Sequence, residues 1–187
     1  AKDAEACEII ALTRAAAEVI AAQGKSDAVA LVINDRLDAV LAAREQGIKV
    51  DGVHVGQGDI PADICRKYLG VDAIVGLSAR TTELLDYVAH CDTACVDYFG
   101  AGPLHATPTK PEAGRTASGE IVTRSFAELV ALHRVSPVPV VVGGGVKAAD
   151  LPALRATGVE GFFVISAVAG AEHPYAAAEE MVRIWCG

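Results

Sequence analysis

The chain has 187 residues, of which 52 % are hydrophobic and 21 % are charged. This size and composition fit one folded domain over residues 1–187 and exclude a largely disordered chain. A formal charge of -8 argues against a nucleic-acid partner, and no apolar run reaches the roughly 18 residues that a membrane span needs. Five cysteines without a Cys-x-x-Cys pair favour a reducing cytoplasm over a disulfide-bonded or zinc-bound domain.

Helix-like and strand-like segments alternate along the whole chain. Their patterns predict helices over residues 4–23, 37–47, 61–69, 80–90, 124–134, 148–156 and 174–185, and strands over 28–33, 52–55, 72–77, 94–99, 138–142 and 161–165. A strand-to-strand repeat of roughly 20 residues is typical of a parallel α/β fold. Six strands fit a doubly wound sheet, or a (β/α)8 TIM barrel whose first two strands lie upstream of Ala1.

Polar residues or glycines follow every predicted strand. Because the carboxyl ends of parallel strands converge on one face, we expect these residues to build one shared pocket. Asp35 and Asp59 follow neighbouring strands and supply two hard oxygen donors, which suit Mg²⁺ beside a phosphate. Helix N-capping is an equal alternative for each of these two residues, because both precede predicted helices.

Glycines and hydroxyls near the end of the chain indicate phosphate binding. Gly143–Gly145 lies between a strand and a helix, where backbone N–H groups can approach an anion, and Ser166 follows the next strand. Residues 107–110, Thr-Pro-Thr-Lys, lie in a loop of about 20 residues and could grip a diphosphate. A tight turn and a solvated loop are the alternatives. His105 is a candidate for proton transfer, whereas His54 lies inside a strand and is interpreted as structural.

Six short motifs, in this order and spacing, resemble the thiamine phosphate synthase family from about Asp27 to the C-terminus. The motifs are Asn34-Asp35-Arg36, Gly52-Val53-His54-Val55-Gly56-Gln57-x-Asp59, Asp97-Tyr98-x-Gly100-x-Gly102-Pro103, Thr107-x-Thr109-Lys110, Gly144-Gly145 and Val164-Ile165-Ser166-Ala167.

The resemblance implies a (β/α)8 barrel and a Mg²⁺-dependent reaction. Hydroxymethylpyrimidine diphosphate and hydroxyethylthiazole phosphate would give thiamine phosphate and diphosphate, after the diphosphate has left the pyrimidine. Asp35 and Asp59 would hold Mg²⁺. Asn34, Ser78 and Lys110 would contact the pyrimidine diphosphate, the last two as catalytic residues. We expect Asp59→Ala and Lys110→Ala each to reduce turnover by orders of magnitude while the fold survives.

The same resemblance assigns a second group of residues to the thiazole phosphate. These are Thr107 and Thr109, with backbone groups at Gly145, Ile165 and Ser166. The implied partners are the two small-molecule substrates, and both a homo-oligomer and a fusion to another thiamine-pathway domain remain open. Two other functions stay open as well: a thiazole tautomerase-like barrel, and a non-catalytic ligand-binding domain of a larger protein.

Overall fold

The computed structural model describes residues 4–79, 83–107, 114 and 119–187. Strands and helices alternate along these residues, and the chain has an α/β fold with six parallel strands. The described residues form two compact units. The first unit runs to Ser78 and includes Ala94–Asp97, and the second unit holds the others.

The first unit is a three-stranded parallel sheet covered by helices. Its elements are α1 (Ala6–Ala22), β1 (Val32–Asn34), α2 (Leu37–Glu45), β2 (Gly52–Val55), α3 (Ala62–Leu69) and β3 (Ile74–Ser78). Val53 in the central strand lies opposite both Ile33 and Val75, and all three side chains are buried. Such apolar strands are expected where helices cover a parallel sheet. The helices α2 and α3 pack on these strands, and α1 packs on α2.

The second unit repeats this arrangement with strands paired in the order β4-β5-β6. Its elements are α4 (Leu84–His90), β4 (Tyr98–Ala101), α5 (Phe126–Val135), β5 (Val140–Val142), α6 (Leu151–Arg155), β6 (Gly161–Phe162), α7 (Ser166–Ala169) and α8 (Pro174–Cys186). Phe99 lies opposite Val140, and both are fully buried. A 3₁₀ turn, Ala148–Asp150, leads into α6.

The predicted parallel α/β class is confirmed, and several predicted boundaries were wrong. The strand predicted over 28–33 begins at Val32; Leu31, just before it, donates its N–H to the side chain of Asp51 at 2.6 Å. The helix predicted over 148–156 is a 3₁₀ turn followed by the short α6, and α7 lies in a segment for which no helix was predicted. No helix in the described part of the chain combines the length and apolarity needed to cross a membrane.

Candidate functional site

The ends of β1 and β2 place both predicted carboxylates at the same edge of the first sheet. Asn34 pairs with His54 in register, and Asp35 N donates to the His54 carbonyl at 2.7 Å. The loop after β2 then carries Asp59, whose Oδ2 accepts a hydrogen bond from Gly56 N at 2.7 Å. Because the two strands are parallel neighbours, both residues follow the carboxyl end of a strand on the same side of the first sheet.

Helix capping does not explain the two aspartates. The N-cap residues of α2 and α3 are Arg36 and Pro61, so neither carboxylate occupies a capping position. Asp35 instead adopts a left-handed backbone with φ 65°, and it is the one non-glycine residue with positive φ in the described ranges. A left-handed backbone costs an ordinary L-residue about 1–2 kcal/mol, which makes Asp35 a candidate for a functional constraint.

Arg36 organises the turn that follows Asp35. Its Nε and Nη2 donate to the two carboxylate oxygens of Asp38 at 2.8 and 2.6 Å. This contact raises the pKa of Arg36 and lowers the pKa of Asp38, because each charge stabilises the other. The arginine of the Asn-Asp-Arg motif therefore holds the first turn of α2 at the end of β1.

The end of β3 adds a contact that the sequence did not reveal. His54 Nε2 lies 2.9 Å from Ser78 Oγ, and both residues are half-buried. His54 pairs with Gly76, so Ser78 is two residues further along and lies on the same face of the sheet. The sequence predicts His54 to be a hydrogen-bonded structural residue, and its partner here is Ser78, a predicted substrate-binding residue. The alternation of side chains along β2 and β3 predicts this contact only when the register of the two strands is known.

The donor set at this edge suits a magnesium ion. Among the described residues, no cluster of three or more His, Cys, Asp or Glu side chains could hold a metal. Two carboxylates, Asp35 and Asp59, are nevertheless what Mg²⁺ commonly takes from a protein, because water and phosphate oxygens fill its other positions. The residues present therefore fit magnesium bound together with a phosphorylated substrate.

A cavity of about 340 Å³ lies in the second unit. It is lined by three segments, which follow β4, β5 and β6: His105, Ala106, Thr107, Gly145, Val146, Lys147, Ser166 and Ala167. Two hydroxyl residues, a glycine turn and an ammonium are the groups that recognise a phosphate monoester. The cavity is therefore suited to a small phosphorylated ligand.

Three of the predicted thiazole-phosphate residues line this cavity, namely Thr107, Gly145 and Ser166. Ile165 directly precedes Ser166 as the N-cap of α7, and its carbonyl accepts hydrogen bonds from that helix. Thr109 and Lys110 lie outside the described residues.

The glycine turn after β5 brings the cavity walls together. Gly145 has φ 72°, and a Cβ at this position would lie 2.9 Å from His105 Cβ and 3.0 Å from the His105 carbonyl oxygen. Glycine is required here both for the left-handed backbone and for the close approach of the loop after β4.

Comparison with known proteins agrees with this geometry. The profile of the thiamine monophosphate synthase family matches residues 1–168. A thiamine-phosphate synthase from Corynebacterium efficiens is 39 % identical over 181 residues, which cover 97 % of this chain and 78 % of that protein. The thiamine biosynthesis bifunctional protein ThiM/ThiE from Symbiobacterium thermophilum is 38 % identical over 152 residues, 81 % of this chain and 28 % of that protein.

A solved structure shows the same similarity. Thiamine phosphate pyrophosphorylase from Pyrococcus furiosus superposes with a TM-score of 0.78 at 25 % identity, over 99 % of this chain and 79 % of that chain. The fold and the similarity to these synthases define an α/β enzyme of the transferase class. The chain belongs to the thiamine monophosphate synthase family.

Proposed function

We propose that this chain joins hydroxymethylpyrimidine diphosphate to hydroxyethylthiazole phosphate, giving thiamine phosphate and diphosphate with the help of Mg²⁺. The observation that carries the proposal is the position of Asn34, Asp35, Asp59 and Ser78 at the carboxyl ends of three neighbouring parallel strands, in a chain that belongs to this family. The reaction transfers a pyrimidine-methyl group from diphosphate oxygen to thiazole nitrogen.

The residues of the first unit would act on the pyrimidine diphosphate. Asp35 and Asp59 would hold Mg²⁺, which when bound supplies positive charge to the leaving diphosphate. The amide of Asn34 can donate to a phosphate oxygen, and the hydroxyl of Ser78 can do the same from its position beside His54. Lys110 is proposed to add an ammonium to the same diphosphate. These groups stabilise charge that grows as the carbon–oxygen bond breaks, so they lower the barrier more than they tighten substrate binding.

The cavity of the second unit would hold the thiazole phosphate. The Thr107 and Ser166 hydroxyls, with Thr109 and the backbone at Gly145 and Ile165, would bind the phosphate and fix the orientation of the thiazole ring. The carbon–oxygen bond breaks first, and the diphosphate takes the bonding electrons. The lone pair of the thiazole nitrogen then forms the new carbon–nitrogen bond. This sequence needs no protein nucleophile.

The finer fold assignment belongs to the same proposal. We propose that the six strands of this chain are part of a (β/α)8 barrel that forms one catalytic domain. The regular order of strands and helices and the similarity to the Pyrococcus furiosus pyrophosphorylase support it.

The test is a two-substrate assay with the purified chain. With both substrates and Mg²⁺, we expect thiamine phosphate and diphosphate to form in equal amounts, and chelation of the metal to stop both. Isomerisation of the thiazole phosphate without condensation would identify a tautomerase instead. Binding of either substrate with neither reaction would identify a ligand-binding domain.

A further inference from the structure

A histidine–aspartate pair joins two walls of the cavity in the second unit. His105 lies in the loop after β4, and its Nε2 is 3.0 Å from Oδ2 of Asp150, which ends the 3₁₀ turn after β5. A carboxylate only accepts hydrogen bonds, so the imidazole Nε2–H donates. The side chain of Asp150 is 17 % exposed and that of His105 is 45 % exposed. His105 lines the cavity, and its partner Asp150 is the more buried of the two.

The same carboxylate oxygen also holds the backbone of the next wall. Lys147 N donates to Asp150 Oδ2 at 2.8 Å, and Lys147 itself lines the cavity. One oxygen atom thus fixes both the His105 ring and the turn that carries Lys147. Loss of either hydrogen bond would leave one wall without this restraint.

The backbone confirms that the two walls depend on each other. His105 N donates to the Gly144 carbonyl at 2.9 Å, and Leu104 N donates to the Gly143 carbonyl at 3.0 Å. These bonds end at His105, two residues before Thr107. The side-chain bond to Asp150 adds a second restraint on His105, and Thr107, two residues further along, lines the same cavity.

From this arrangement we infer that His105 and Asp150 are positioning residues for the phosphorylated substrate that occupies the cavity. The inference rests on the proposed function, because that substrate is the thiazole phosphate. Asp150 orients His105 and the Lys147 backbone, and both keep the phosphate-binding walls at the spacing the ligand needs. Neither residue acts on the diphosphate that leaves the pyrimidine.

The experiment separates the two substrates by kinetics. His105→Ala and Asp150→Ala should each raise the KM for thiazole phosphate about tenfold, which corresponds to about 1.4 kcal/mol of binding. The KM for the pyrimidine diphosphate and kcat should change by less than about threefold, since the groups that act on that substrate are untouched. Calorimetric titration with thiazole phosphate should show the same tenfold loss without turnover.

Three further variants test positioning against general loss of structure. His105→Gln keeps an N–H donor at a similar distance and should recover most of the affinity. The double variant should be no weaker than Asp150→Ala alone, because that change already removes the bond to His105. His133→Ala removes a similar histidine–carboxylate pair, His133 Nδ1 to Glu160 Oε1 at 3.1 Å, and should leave both KM values unchanged.

Several outcomes would overturn the inference. An active wild-type chain with an unchanged thiazole-phosphate KM in His105→Ala removes this role alone and leaves the proposed function standing. Equal increases in both KM values, or fully additive losses in the double variant, also contradict it. A wild-type chain that neither binds thiazole phosphate nor forms thiamine phosphate overturns the proposed function and this inference together.

Discussion

Replacing Asp35 by glycine and by alanine should reduce activity equally but should change stability by different amounts. Both changes remove the carboxylate proposed to hold Mg²⁺, so both should reduce turnover at least about 100-fold. Their effects on folding should differ, because Asp35 has a φ of 65°, where a β-carbon is strained and glycine is not. Both variants have lost the contacts of the carboxylate, so the difference in stability between them reports the backbone conformation alone.

The expected difference follows from two opposing terms. A β-carbon in the left-handed region costs about 1–2 kcal/mol, and alanine recovers about 0.4–1 kcal/mol because it is less free than glycine in the unfolded chain. Asp35→Gly should therefore be more stable than Asp35→Ala by about 0.5–1 kcal/mol. In a chain of this size that is a difference of about 1–4 °C in Tm, measurable by calorimetry or circular dichroism.

Gly47 provides a matched control for the backbone effect. It follows α2 with φ 71°, and a Cβ there would have nothing within 4 Å. Gly47→Ala should lose a similar amount of stability, about 0.5–1 kcal/mol, with unchanged turnover. Full activity in Asp35→Gly would refute the metal-binding role. An Asp35→Ala variant at least as stable as Asp35→Gly would refute the argument from strain.

Three other substitutions test the first unit. Asp59→Ala should reduce Mg²⁺-dependent diphosphate release by about 100-fold or more with a native circular dichroism spectrum, because the bond from Gly56 N to its carboxylate lies within an exposed loop. His54→Ala should raise the KM for the pyrimidine diphosphate about tenfold by freeing the Ser78 hydroxyl, with partial recovery in His54→Gln. Asp51→Asn should lower the free energy of unfolding near neutral pH. Burial raises the pKa of Asp51, but hydrogen bonds from Lys49 and from the Leu31 backbone together lower it by more. The pKa of Asp51 therefore lies below its ordinary value. This contribution should be complete above the ordinary aspartate pKa of about 4 and should disappear as the pH falls below it.

These three predictions have matched controls. Asp63→Ala, an exposed acid in the first turn of α3, should leave turnover unchanged, so an equal loss in that variant would make the Asp59 result non-specific. His90 pairs with Asp86 at an exposed position, and His90→Ala should alter neither KM. For Asp51→Asn, a stability deficit that persists undiminished at pH 3 would contradict the assignment to the charged carboxylate.

Local sequence signals predicted the ends of β1 and β2, because both the polar residues and the strand that precedes them are visible in the sequence. This pattern predicts Asp35 and Asp59 at one edge of the sheet, and the strands that precede them, β1 and β2, are parallel neighbours. The choice between capping and ligand binding was not decidable from the sequence. The N-cap of a helix depends on backbone angles, and only the structure assigns those positions to Arg36 and Pro61.

Contacts between distant segments could not be predicted in the same way. The bond between His54 and Ser78 depends on the register of two strands, and His105 meets Asp150 across 45 residues. The glycine at position 143, after β5, also depends on a contact with a distant segment. A Cβ on Gly143 would lie 2.0 Å from the ring of Phe163, so that ring occupies the space of a side chain. The local sequence does not show that a large side chain after one strand fills the space beside a glycine after the neighbouring strand.

The two ends of the strands carry acids with different roles. At the amino ends, Asp51, Asp97 and Glu160 each directly precede a strand. Each accepts a backbone N–H in, or one residue before, the neighbouring strand, from Leu31, Val75 and Val140 at 2.6, 2.6 and 2.7 Å. These carboxylates accept hydrogen bonds from backbone N–H groups near the start of the strands, so they stabilise the folded state. At the carboxyl ends, neither Asp35 nor Asp59 is the N-cap of the helix that follows it. Asp35 also has a left-handed backbone, with φ 65°. Both features support the proposal that these two carboxylates bind magnesium. The direction of a parallel strand therefore distinguishes the acids that stabilise this protein from those that we propose bind magnesium.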